Sequence, residues 1–194
     1  MQPGDMLTKL HEAEDALPDL LREGVDAWES LDIDYEPPRV CRLWRQWGDF
    51  RILLHHIELC GKALFHPHPW PSAVRVINGT YEMAVGFAES DWQKAGRNFE
   101  GFGYEGPRGP LEVARIVLGK GAQYEMTDPN GWHYVKPLFG SSLSVMVIGK
   151  PYEYQPFSHD NFGKKATLRA LDPKAKNALH AEFIAEYHYW RANR

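Results

Sequence analysis

Between residues 39 and 149 the chain breaks into short apolar runs, each ended by Gly, Pro, Asn or Asp. Runs of this length suit strands and are too short for helices. The pattern predicts strands at 40–45 and 51–59 around a Trp47-Gly48-Asp49 turn. Strands at 74–77 and 80–87 flank Asn78-Gly79, a strong hairpin signal. Segments 112–118, 123–126, 132–136 and 143–148 continue the series. About eight strands with no helix between them point to an antiparallel barrel or sandwich. The 7 Trp, 9 Tyr and 9 Phe of the chain agree with a sheet-rich centre.

The two ends read differently. Residues 5–31 are expected to be helical, with Asp5 capping the first turn, Leu7, Leu10 and Leu17 near one face, and a second helix beginning at Pro18. Pro37-Pro38 closes this region. Near the other end, Asp172-Pro173 supplies a cap and a first-turn proline, and Leu179, Phe183, Tyr187 and Trp190 form an apolar stripe. That stripe is expected to pack on the barrel exterior or on another subunit. One domain results: a helical extension at 1–38, a β-barrel at 39–150, and a connection with a helix at 151–194. Residues 88–110, rich in aromatics and in Gly and Pro, are expected to form a long loop over one end of the barrel.

Charge excludes some partners. The formal net charge is −4 with no basic stripe, so a nucleic-acid surface is not expected. No apolar run reaches the roughly 18 residues of a membrane span. Met1 to Leu10 lacks the apolar core of a signal peptide. Cys41 and Cys60 form neither a disulfide framework nor a close-spaced metal pair, and read as reduced thiols of a cytoplasmic protein.

The chemistry is carried by histidines. His66 and His68, in Phe65-His66-Pro67-His68-Pro69-Trp70, project from one side of an extended backbone and can reach one point. The prolines stiffen the segment and lower the entropy lost in forming a site. His133 follows an Asp128-Pro129-Asn130-Gly131 turn at the start of a strand, where it can point inward. Imidazoles converging at about 2.0–2.1 Å suit Zn, and also Fe, Ni and Cu. Three neutral imidazoles leave a divalent ion its full charge and open positions for substrate. The other histidines read as ordinary: His11, His180 and His188 as solvent-facing helical residues, one of His55 and His56 as a core residue, and His159 as having no role.

These residues resemble the motifs of the cupin superfamily. Its first motif opens with His-x-His, matched by His66 and His68, and runs to a hairpin glycine and a closing glycine, matched by Gly79 and Gly86. Its second, Pro-x-Gly followed by His, matches Pro129, Gly131 and His133, with one residue before the histidine where two are usual. Residues 88–110 lengthen the distance between the motifs. The resemblance covers roughly 39–150 and implies a mainly β, double-stranded β-helix or jelly-roll barrel with a metal inside and flanking helices. The glutamate ligand usual in cupins falls at Ser72 or Ala73. Three histidines without it look like the cysteine dioxygenase and acetylacetone dioxygenase branch, which uses iron(II).

Further candidates lie around this centre. Glu82 and Glu125 each stand in a Tyr-Glu-Met triplet and serve as ligand or base if they face inward, or as solvated residues if they face outward. Arg75 is a candidate for binding a substrate carboxylate bidentately. Trp70, Trp132 and Tyr134 flank the ligands and are candidates for the pocket mouth, with Glu82, Arg75 and Tyr134 the candidate catalytic groups. The function expected is a non-haem Fe(II) dioxygenase acting on a small organic molecule. Two alternatives stand beside it: a Zn, Mn or Ni isomerase, lyase or hydrolase, and a non-catalytic ligand- or metal-sensing module. A homodimer through the helices or a barrel edge is compatible with each.

Overall fold

The computed structural model describes residues 4–34, 37–63, 65–87, 111–129, 131–153 and 169–194. The expected loop at 88–110 and His159 lie outside them. Helix α1 spans Asp5–Arg22, and ten strands follow: β1 (Glu29–Ile33), β2 (Val40–Trp47), β3 (Phe50–Ile57), β4 (His66–Pro67), β5 (Ser72–Asn78), β6 (Thr80–Phe87), β7 (Leu111–Gly119), β8 (Gln123–Met126), β9 (Gly131–Pro137) and β10 (Ser142–Ile148). Helix α2 spans Pro173–Ala192.

The strands form two antiparallel sheets, ordered β1-β2-β3-β10-β5-β8 and β4-β9-β6-β7. Counted from β3 as the first of eight, their orders are first-eighth-third-sixth and second-seventh-fourth-fifth. This interleaving is the double Greek key of a jelly roll. Strands β1 and β2 continue the larger sheet past β3, and Trp44 of β2 packs against its inward face.

Alternation along the strands sorts the residues into layers. From the larger sheet, Leu43, Ile52, Leu54, Ala73, Ile77, Val145 and Val147 face outward and bury against Met6, Leu10 and Leu17 of α1 and Phe183, Tyr187 and Trp190 of α2. The stripe on α2 therefore packs on the barrel exterior, as the sequence allowed. Inside the barrel lie two apolar clusters, one around Ile57, Val76, Tyr81, Met83 and Val135 and one around Leu53, Val74, Met146 and Ile148.

Three expectations for residues 5–31 need correction. Residues 29–33 form β1 rather than helix: they pair with β2 from Glu29–Trp44 to Ile33–Val40, and edge pairing outweighs local pattern. Pro18 lies inside α1 rather than opening a second helix. It removes the N–H that would bond the Glu14 carbonyl, and the Tyr187 hydroxyl donates to that oxygen instead at 2.5 Å, with Arg191 Nη1 at 3.2 Å. Asp5 is not the cap; Glu125 of β8 accepts from Gly4 N at 2.6 Å and Leu7 N at 3.3 Å.

Asn78-Gly79 joins strands of different sheets, so it is a corner and not a hairpin. Gly79 has φ +81°, and a Cβ there would stand 2.7 Å from the Ser141 carbonyl oxygen. Both facts require glycine. The hairpin at Gly48 is real, closing the β2–β3 pair at Trp47 and Phe50.

Candidate metal centre

Short strand β4 pairs with β9 so that His66 stands opposite His133. His133 shares the inward face of β9 with Val135, because Val85 and Met83 are their partners on β6. His68 leaves β4 on the same side as His66, their rings stacked at a centroid distance of 5.4 Å. The His133 ring lies 4.7 Å from that of His66 and 4.4 Å from that of His68. One nitrogen from each of the three falls within 4.8 Å of the others. The three histidines named from sequence are thus brought together, His66 and His133 from paired strands and His68 from just past β4, 65 residues before His133.

The donors fit a divalent metal. His133 is buried, and burial holds its imidazole well below the usual histidine range, with His68 and His66 adding to the effect. It is neutral near pH 7, so a lone pair is available. His133 Nε2 and His68 Nε2 face each other at 2.7 Å. Without a cation, one ring must donate a proton to the other; a metal ion can replace that proton.

The surroundings of the rings are uneven. Ser72 Oγ lies 3.5 Å from His68 Nδ1, at the outer limit of a hydrogen bond. Ser72, one of the two positions where the cupin glutamate falls, is fully buried, while Ala73, the other, faces the helices. His133 Nδ1 is buried without an acceptor among the described residues. Metal-binding histidines usually donate their second N–H, and losing such a partner costs roughly 10–100-fold in affinity.

The three candidate catalytic groups lie elsewhere. Glu82 and Tyr134 occupy the outward face of β6 and β9, opposite in pleat to Met83 and His133. They bond one another, Tyr134 donating to Glu82 at 2.8 Å, and burial with this bond pushes the phenol up to about 12. Arg75 also points out of the barrel. Its guanidinium does hold a carboxylate bidentately, but the carboxylate is Glu14 of α1, at 2.7 and 3.3 Å. Glu125 faces out too, as the cap of α1. Trp132 shares the outward pleat of Tyr134, whereas Trp70 packs with the inner cluster and lies 6.4 Å from His68.

The adjacent pair His55-His56 supplies the one core histidine that the sequence predicts. His55 faces into the barrel and His56 faces out, where its Nδ1 lies 2.9 Å from Glu182 of α2. His55 is held neutral by burial first, then by the charges of Arg42, His133 and His66. His180, read as solvent-facing, is buried on α2. The adjacent pair His55-His56 signalled that one ring had to face inward; which one depends on strand register.

Eight strands in jelly-roll order carry three imidazoles on their inward face. The barrel is cupin-like. Solved structures similar to it include cupin-type proteins. Hydroxypropylphosphonic acid epoxidase from S. wedmorenis matches at 16% identity and TM-score 0.43, over 64% of this chain and 56% of its own. KdgF from Halomonas sp. matches at 15% and 0.40, over 65% and 87%. An RmlC-like cupin from Shewanella frigidimarina matches at 12% and 0.42, over 66% and 87%. The chain spans little more than half the length of the epoxidase structures, 57% of one described with Fe(II) and an alternative substrate. No family model and no curated protein matches the sequence. Strand order and the imidazoles, rather than these distant likenesses, carry the assignment.

Proposed function

We propose that this chain is a metal-dependent cupin-type oxidoreductase, a non-haem Fe(II) dioxygenase acting on a small organic molecule. The observation that supports it is the donor set: His66, His68 and His133 converge, and no carboxylate joins them among the described residues. Fe(II) held there would keep its full charge and offer open positions to a substrate and to dioxygen. The protein's own part is distinct. Burial keeps His133 neutral. The two inner clusters make the barrel interior apolar. Trp70 lies beside His68 on its inner side.

The same donors accept Zn, Mn or Ni, which would shift the chemistry toward isomerase, lyase or hydrolase reactions. The His133 Nδ1, unpartnered among the described residues, favours a second reading, a ligand- or metal-sensing module that holds its ion weakly. Strand β7, at an edge of its sheet, exposes Val113, Ile116 and Val117, and an edge of this kind favours a homodimer.

Metal analysis of protein purified without added metal is the test. Near-stoichiometric iron, lost in His66→Ala or His133→Ala, supports the leading reading. Oxygen consumption with a panel of thiols and β-diketones then separates oxygen chemistry from Lewis-acid chemistry. Protein that takes up no metal, with unchanged stability in those variants, would sink both enzyme readings.

A further inference from the structure

The barrel interior is apolar in two blocks, and a polar row divides them. In the larger sheet Arg42 of β2 pairs with His55 of β3, and His55 pairs with Ser144 of β10. The three stand side by side across adjacent strands, so their side chains share the inward face. The row ends at Val76 of β5, the partner of Ser144; Ile57 lies on one flank of it and Leu53, Val74 and Met146 on the other. Burying polar groups in such a setting is costly unless each finds a partner.

His55 is more than nine-tenths buried, with 8% of its surface exposed, and its Nε2 has no partner among the described residues. Ser144 is 1% exposed. The row also stands near the three-histidine cluster: Ile57, on the same face of β3 as His55, packs in one cluster with Val135, on the same face of β9 as His133. A guanidinium, an imidazole N–H and a hydroxyl on one inward face make a donor set that matches an oxyanion.

We propose that Arg42, His55 and Ser144 form a second binding position in the barrel, seating the carboxylate, or a similar single oxyanion, of a small ligand whose apolar body lies in the chamber. It deepens the functional reading above, since it takes the barrel interior as a ligand chamber, but it does not depend on which metal is bound. Arg42 supplies the charge, His55 Nε2 donates one hydrogen bond, and Ser144 closes the row. His55 is then the residue that sets ligand specificity: a ligand without an acceptor at this point leaves its ring nitrogen buried and unpaired.

The test uses Zn(II)-loaded protein, a diamagnetic form, with nitrogen-15 in its histidines. Propionate is the probe and propionamide its neutral counterpart. The expected result is a saturable shift of the His55 Nε2 resonance with propionate and none with propionamide. By calorimetry, propionate affinity should fall about tenfold in Arg42→Gln and about fivefold in His55→Gln, with Arg42→Lys between wild type and Arg42→Gln. No saturable shift in wild type, or an equal shift with propionamide, overturns the proposal without recourse to any variant. Propionate affinity unchanged in folded Arg42→Gln and His55→Gln also overturns it, because the probe would then be meeting the metal alone. Wild-type protein that takes up no Zn(II) yet shows the saturable propionate shift upholds this inference while the metal reading fails.

Discussion

His68 Nε2 and His133 Nε2 lie 2.7 Å apart although 65 residues separate them in the chain. A half-buried and a buried imidazole with their nitrogens turned toward one another, and a third within 4.8 Å, form a poised donor set. Replacing any one of His66, His68 or His133 with Ala should reduce bound divalent metal from about one ion per chain to a small fraction. Elemental analysis reads this directly. Chelation of the wild type should lower its Tm, because an ion that binds only the folded state stabilises it by mass action. Equal metal content in wild type and all three variants would place the ion elsewhere.

Arg75 and Glu14 make the opposite prediction. Glu14 is almost fully buried, and Arg75 is its principal cation. Arg75→Ala leaves a buried carboxylate without that partner and should cost about 3–5 kcal/mol in denaturant unfolding. Metal content should not change. A large loss of metal with little loss of stability would return Arg75 to the site.

The Glu14 carbonyl offers a test by double-mutant cycle. Pro18 withdraws its helical donor, and the Tyr187 hydroxyl takes that place at 2.5 Å. Tyr187→Phe should therefore cost about 1–2 kcal/mol. In a Pro18→Ala background the helix can supply its own N–H, and the same change should cost less. Additive effects in chemical denaturation would show that the two residues do not share this acceptor.

Stability of the metal-free protein should depend on pH with a definite sign. His55 and His133 are held well below the ordinary value of 6.5, mainly by burial. The unfolded chain binds more protons in that window, so the stability present above about 6.5 is lost as pH falls. His56 runs the other way: its hydrogen bond to Glu182 raises it, so its contribution is complete below the ordinary value and fades as pH rises through the folded one. Thermal unfolding should show Tm falling from about pH 7 to pH 5, less steeply in His55→Gln. His56→Gln should cost stability at about pH 6 and little at about pH 8. An acid limb unchanged in His55→Gln would show that His55 is not held neutral.

The α1 N-terminus gives a simpler check. Glu125→Ala removes the acceptor for Gly4 N and Leu7 N, and should cost about 1 kcal/mol in thermal unfolding without altering metal content.

The sequence by itself determined the strands, the terminal helices and the metal-ligand candidates, because each rests on local chemistry. Short apolar runs between breakers mark strands. Asp172-Pro173 marks the start of α2, where Asp172 accepts from Ala175 N. His-x-His on an extended segment puts two rings on one side. What only the tertiary structure decided was facing and partnership. Asn78-Gly79 reads as a hairpin, yet its strands enter different sheets. The pattern of 29–31 looked helical until β2 offered a pairing edge. Glu82, Tyr134 and Arg75 carry the right functional groups on the wrong side of the sheet, and a shift of one residue in register would have reversed each. The row of Arg42, His55 and Ser144 was illegible for the same reason: it exists only where three strands lie side by side in register. Local sequence chooses the side chains, and long-range pairing chooses which of them meet.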